Sequence, residues 1–274
     1  MLISGSIGII ILKKHKKIIY LLSDDHSNKV YCSNNGSEHK DIDDFLKNEL
    51  DEGSQILLEE VPRDGFNLQE LWPDSPHTQS LKDLFLNTEN INGVDIRPYL
   101  IQFSWDILDV EKANSPLGNV KISFYLNHIN NFFECRGKFY NTIFKPAYDS
   151  IKIKNSGLGK HLRDIRDRYR ELKEEIKDDK ELINYYENKK SVLYKIDRIC
   201  DMIMEFYTLL LAFTTEKKSY IHAGLFHSNN ILHYLVGEYN FEVKYSHGTI
   251  TFPPPNKKVN SCILLPNEEK IGIF

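Results

Sequence analysis

Four polar clusters in this chain of 274 residues carry side chains fit for acid–base or metal chemistry. They are Asp24-Asp25-His26, Glu59-Glu60, the pair Asp95 and Arg97, and His222 with His227. Imidazole nitrogen together with carboxylate oxygen suits zinc, manganese or a related divalent ion. An ion of that kind polarises a carbonyl and lowers the pKa of bound water. The expected metal ligands are His26, Glu59, His222 and His227, with Asp25 and Glu60 as alternates, and the expected cofactor is a divalent metal such as Mn, Zn or Co. Without a metal, His26 and His222 or His227 are candidate bases and Glu59 a ligand or general base. Arg97 offers a planar fork for a carboxylate or a developing oxyanion, and Asp95 is placed to hold it. Taken singly, each cluster would serve equally well as a polar turn, a solvated strand end or a surface ion pair. The combination carries the functional reading.

Each cluster follows a short apolar run, and these runs are the elements that must position it. Ile7–Leu12 and Ile18–Leu22 are rich in β-branched residues and flank Lys13-Lys14-His15-Lys16-Lys17, which predicts a hairpin with a charged turn. Ile56-Leu57-Leu58 reads as a buried strand ending at Glu59, and Val94-Asp95-Ile96-Arg97-Pro98 as another strand end, punctuated by Gly93 and Pro98. Tyr220-Ile221 leads into His222-Ala223-Gly224-Leu225-Phe226-His227, with Ser228-Asn229-Asn230 as expected caps of a following helix. His222 and His227 are five positions apart and would not share a helix face, so a break between them is needed. Phe241–Tyr245 and 261–265 look like late strands. Asp41–Leu50 and Ser80–Leu86 look like short helices.

The middle of the chain differs. Leu162, Ile165, Tyr169, Leu172 and Ile176 alternate three- and four-residue steps, the stripe of a long helix. A second helix is expected over roughly 191–214. The fold class expected is therefore α/β or α+β: one domain over 1–274, with a central mixed sheet flanked by helices and a helical insertion over 100–218 that contains a long hairpin. In such sheets ligands bind beyond the carboxyl ends of the strands, where the four clusters fall.

Composition narrows the function further. Hydrophobic residues make up 41% and charged residues 27%, an ordinary globular balance. Thirty-five Lys and Arg against 39 Asp and Glu give a net charge of −4, so nucleic acid is not expected as a partner. Cys32, Cys135, Cys200 and Cys262 are widely spaced, which points to neither a zinc knuckle nor a dense disulfide framework and suits a reducing compartment. The longest apolar run is far below the ~20 residues of a membrane span. A soluble, cytoplasmic protein is expected. The P-loop, Rossmann and nucleophile-elbow signatures are absent from the sequence.

The order of the clusters resembles the erythromycin-esterase/ChaN-like and TIKI/TraB superfamily. The stretch from Ile18 to His26 is similar to its opening strand and G-E-x-H motif, with Ser23-Asp24-Asp25 where the family carries glycine and glutamate. Ile56–Glu60 resembles its strand ending in Glu, Gly93–Arg97 its G-x-D-x-R strand, and Tyr220–His227 its late His-bearing turn. By position, His26, Glu59 and His222 or His227 correspond to its site residues. The chain also resembles proteins of large DNA viruses of protists, which would place it in host cytoplasm or a virion. The resemblance implies a hydrolase of amide or ester bonds, metalloprotease-like or esterase-like, acting on a small molecule or peptide. Two alternatives remain open: a calcineurin-like phosphoesterase, faintly echoed by Asp25-His26 and the late histidines, and a non-catalytic interaction protein. In the latter the helical hairpin, 160–215, is the binding surface, and it is also a candidate homodimer contact.

Overall fold

Strands form here where β-branched runs can be buried on both faces. The computed structural model describes residues 1–25, 32, 38–50, 53–62, 79–88, 90–100, 122–151, 156–176, 192–215, 217–251 and 262–273. Strands β2 (Gly8–Lys14) and β3 (Lys17–Asp24) make the expected hairpin, but they extend into the lysine run. Lys14 pairs with Lys17, leaving His15 and Lys16 as the turn, with His15 at a φ of 53°. The lysines are tolerated because carbonyls receive them. Lys13 Nζ donates to Gly272 and Ile273, and Lys14 Nζ donates to Tyr239.

The main sheet has six strands in the order β6-β5-β7-β3-β2-β8, completed by β5 (Gln55–Leu58), β6 (Ile91–Gly93), β7 (Lys218–Gly224) and β8 (Glu242–Gly248). The four strands β6, β5, β7 and β3 are mutually parallel, and β2 runs antiparallel to both of its neighbours, β3 and β8. Parallel strands need both faces covered, which is why β5 and β7 read as nearly unbroken buried runs. Tyr20 and Tyr220, level with each other on β3 and β7, stack with centroids 4.6 Å apart. A smaller sheet joins β4 (His39–Asp41), β1 (Leu2–Ser4) and β9 (Cys262–Leu264). Helices α1 (Ile42–Asn48), α2 (Gln79–Asn87) and α8 (Leu225–His233) accompany the strands, confirming a mixed α/β fold. No helix among the described residues is long and apolar enough to cross a membrane.

The chain divides into two compact units, and among the described residues the second comprises those between 95 and 210. It holds α3 (Arg97–Leu100), α4 (Ile122–Phe133), α5 (Lys145–Ser150), α6 (Ser156–Glu175) and most of α7 (Val192–Ala212). Ile165, Tyr169 and Leu172 are buried along α6, with Leu158 and His161 extending the stripe, whereas Leu162 and Ile176 are half-buried. The stripe finds its partner inside the chain. Tyr169 donates to Leu126 O and Asn130 Oδ1 of α4 and stacks on Phe133. Helices α6 and α7 run antiparallel: Glu175 pairs with Lys195 at one end, and His161 meets Phe206 edge-on at the other.

The cysteines, whose spacing pointed to no dense disulfide framework, include one bonded pair. Cys32 and Cys262 are joined in a disulfide across 230 positions, a separation that no local spacing rule detects. Cys135 is exposed and Cys200 buried. Burial, with Asp197 and Asp201 nearby, pushes the Cys200 thiol up and keeps it protonated. Thiol titration should therefore count one reactive cysteine in the native protein, two after denaturation and four after reduction. Four without reductant would show the bond to be absent. Cys32→Ser should lower unfolding free energy by about 2–5 kcal/mol in a denaturant titration.

Candidate functional site at the carboxyl edge of the sheet

Strand β5 ends early. Its last residue, Leu58, lies level with His222, whereas β7 continues to Gly224. The ladder passes one more bond, from Glu59 N–H to His222 O at 3.1 Å. Gly224 N–H then has no β5 carbonyl to meet, and the Glu59 carboxylate takes its place, accepting it through Oε2 at 2.6 Å. Gly224 is also the N-cap of α8, so this carboxylate sits where the helix dipole favours negative charge.

His227 is the third residue of α8, which turns its ring back to the same carboxylate. Its Nε2 lies 3.7 Å from Glu59 Oε1, with both side chains nearly buried. The edge of Phe226 supports the ring. Ser228 does not cap the helix, contrary to the sequence expectation. The strand runs on to Gly224, and the helix begins at once with Leu225. Ser228 Oγ instead donates to Ala223 O at 2.9 Å, which ties the helix to the end of β7. His222 is a strand residue, buried, and level with both Leu22 and Leu58.

Neighbouring strand ends complete the edge. Asp24 closes β3 level with Gly224, is buried, and accepts Asp25 N–H through Oδ1 at 2.8 Å. Glu60 is buried, and its N–H turns back to Leu58 O at 2.7 Å. Gly93 permits this tight turn, because a Cβ there would stand 2.5 Å from Glu60 O. The structure thus gathers Glu59 and His227 into direct apposition and sets Asp24, Glu60 and His222 at the ends of adjoining strands. His26, the remaining expected ligand, lies outside the described residues. Among the described residues no group of three His, Cys, Asp or Glu side chains is arranged to hold a metal.

Asp95 and Arg97 belong to the second unit and form a different arrangement. They were expected on a strand end. Strand β6 instead stops at Gly93, and Arg97-Pro98 opens α3, where proline's fixed φ suits a first helical turn. Asp95 Oδ1 accepts the Arg97 amide at 3.2 Å and Nε at 2.8 Å, while Oδ2 accepts the guanidinium at 2.9 Å. The fork's remaining arm reaches Asp201 Oδ1 at 3.2 Å, and Asp201 Oδ2 receives Arg198 at 3.1 Å. Asp201 was missed in the sequence, although an aspartate among Ile199, Cys200, Met202 and Ile203 in a largely apolar helix signals a buried partner.

Removing one member of a buried ion pair strands the other, so Asp201→Ala should cost about 3–5 kcal/mol in urea unfolding. Arg170→Ala, which breaks the exposed pair with Asp167, should cost less than about 1 kcal/mol. Equal losses would show that the Arg97 network carries no special weight.

No family model, no curated protein and no solved structure matches the chain.

Proposed function

We propose that the chain is a hydrolase of amide or ester bonds whose working pair is Glu59 and His227. The observation behind this reading is one carboxylate held between a helix N-terminal amide and an imidazole, at the carboxyl edge of a parallel sheet. Glu59 favours the tautomer with the proton on Nε2 and stabilises the imidazolium once it forms. The other ring nitrogen then takes a proton from water as the water attacks the substrate carbonyl, and returns it to the departing amine or alcohol. The arrangement follows the general rule of a base oriented by a third group. Asp95 and Arg97 hold the second unit together in this scheme and do not touch the substrate.

A metal-dependent form of the same reading needs a donor beyond Glu59 and His227, and His26 is the candidate. A bound Mn, Zn or Co ion would polarise the carbonyl and supply hydroxide. Metal analysis of protein purified without chelator or nickel resin separates the two forms. A cytoplasmic location and the Cys32–Cys262 bond pull in opposite directions, since cytosol keeps thiols reduced. The thiol count therefore also bears on compartment.

The test is a panel of activated esters, peptides and phosphoesters. Glu59→Gln and His227→Asn should each lower kcat/KM on an ester or amide by about 10²–10⁴-fold, with melting temperatures little changed. Glutamine keeps an oxygen for Gly224 N–H, so Glu59→Gln probes the charge more than the fold. Turnover of phosphoesters alone would favour the phosphoesterase, and no turnover of any class would favour an interaction protein.

A further inference from the structure

The middle of the sheet holds a pair of polar rings that the site at its edge does not use. Tyr20 and Tyr220 are level on β3 and β7, fully buried, and stacked at 4.6 Å with an interplanar angle of 21°. Phe45 of α1 meets Tyr220 edge-on. Level rings on neighbouring strands stack readily, so the contact alone is ordinary packing. The hydroxyl ends set the pair apart. Tyr220 donates to Glu49 Oε2 and Tyr20 to Glu268 Oε1, two carboxylates from segments far apart in the chain. Elsewhere tyrosine hydroxyls meet groups that cannot keep a proton: Tyr169 donates to Leu126 O and Asn130 Oδ1, and Tyr245 to Leu264 O.

Burial and the neighbouring carboxylate push both phenols up, so neither ionises alone. Losing an electron is a different matter. A carboxylate already in hydrogen-bond contact takes the phenol proton as the electron leaves, and the buried cluster sheds a negative charge. The two ends of the stack differ in this respect. Glu268 also accepts two bonds from Lys218 Nζ, at 3.1 and 3.0 Å, and the same ammonium lies 5.8 Å from the centre of the Tyr20 ring. That cation opposes positive charge on Tyr20. Glu49 is the C-cap residue of α1, and among the described residues no cation pairs with it. The Tyr220–Glu49 end is therefore the one suited to hold the oxidised state.

We propose that the Tyr20–Tyr220 stack is a one-electron oxidation site that quenches peroxyl radicals, with Tyr220 carrying the oxidised state and Glu49 accepting its proton. The peroxyl radical takes one electron from the stack and becomes a peroxide anion, which solvent protonates. The O–H bond of Tyr220 breaks, and its proton passes along the hydrogen bond to Glu49. A neutral tyrosyl radical remains, supported by the stacked ring of Tyr20. Electrons cross packed protein, so the oxidant needs no pocket at the rings. Neither Glu59 nor His227 takes part, so the proposal stands or falls independently of the hydrolase reading.

The experiment oxidises the intact protein with flash-generated tris(bipyridyl)ruthenium(III), then repeats the series with alkylperoxyl radicals from an azo initiator. The readout is the tyrosyl signal by time-resolved absorbance and freeze-trapped electron paramagnetic resonance. Tyr220→Phe keeps the ring stack and should remove most of the wild-type signal, whereas Tyr245→Phe should leave it intact. Tyr20→Phe should leave a signal on Tyr220. Glu49→Gln keeps an oxygen for the phenol but no base, and should slow the rise of the signal by about tenfold or more. Glu268→Gln should not slow it. Near-ultraviolet circular dichroism checks that each variant retains the folded stack. A wild-type yield in Tyr220→Phe, loss of the signal in Tyr20→Phe, or a wild-type rate in Glu49→Gln would overturn the proposal.

Discussion

The slot between β3 and β5 is the constraint on which the first unit depends. Those two strands are laid down early in the chain, yet they do not pair with each other. Strand β7, which arrives more than 150 positions after β5, separates them and bonds to both. Such long-range parallel pairing gives no return until a long loop has closed, so it is a slow and cooperative step. The site is a product of that step. Without β7 there is no His222 carbonyl to extend the ladder, no Gly224 amide to hold Glu59 and no helix start to bring His227 against it.

Buried carboxylates are handled in two contrasting ways. Asp95 and Asp201 are satisfied by arginine forks, an arrangement rich in donors and rigid in geometry. Glu59 has a backbone amide on one oxygen and an imidazole at 3.7 Å on the other. The first arrangement holds a full ion pair in place. The second sets an imidazole, a side chain able to pass a proton through either nitrogen, against a carboxylate, and proton transfer needs that chemistry. This difference in partner chemistry, more than depth of burial, separates the candidate site from the structural network.

Much of the sheet was legible because its strands are short β-branched runs closed by polar residues. Ile18–Leu22, Ile56–Leu58 and Tyr220–Ile221 all fall within observed strands, and the polar residues after them do fall at a shared edge. What escaped the sequence depends on long-range partners. Strands β1 and β4 are three residues each and exist only as neighbours in a small sheet. Arg97 was assigned to a strand end from the punctuation by Gly93 and Pro98, but the Asp95 turn and Pro98 favour a helix start, and two polar residues two apart cannot discriminate the cases. Ser228 has the chemistry of a cap, yet a backbone already turning at Gly224 made that cap unnecessary. The apposition of Glu59 and His227 depends on β5 stopping two residues before β7, a register that neither segment encodes alone.

The Cys32–Cys262 bond closes the chain between these two residues into a covalent ring. A single proteolytic cut between those cysteines would open the ring without releasing a fragment. The nicked chain would keep its mass on a non-reducing gel and fall into two pieces only when reduced. Loss of integrity within the ring is then a two-key event, with peptide cleavage as one key and thiol exchange as the other.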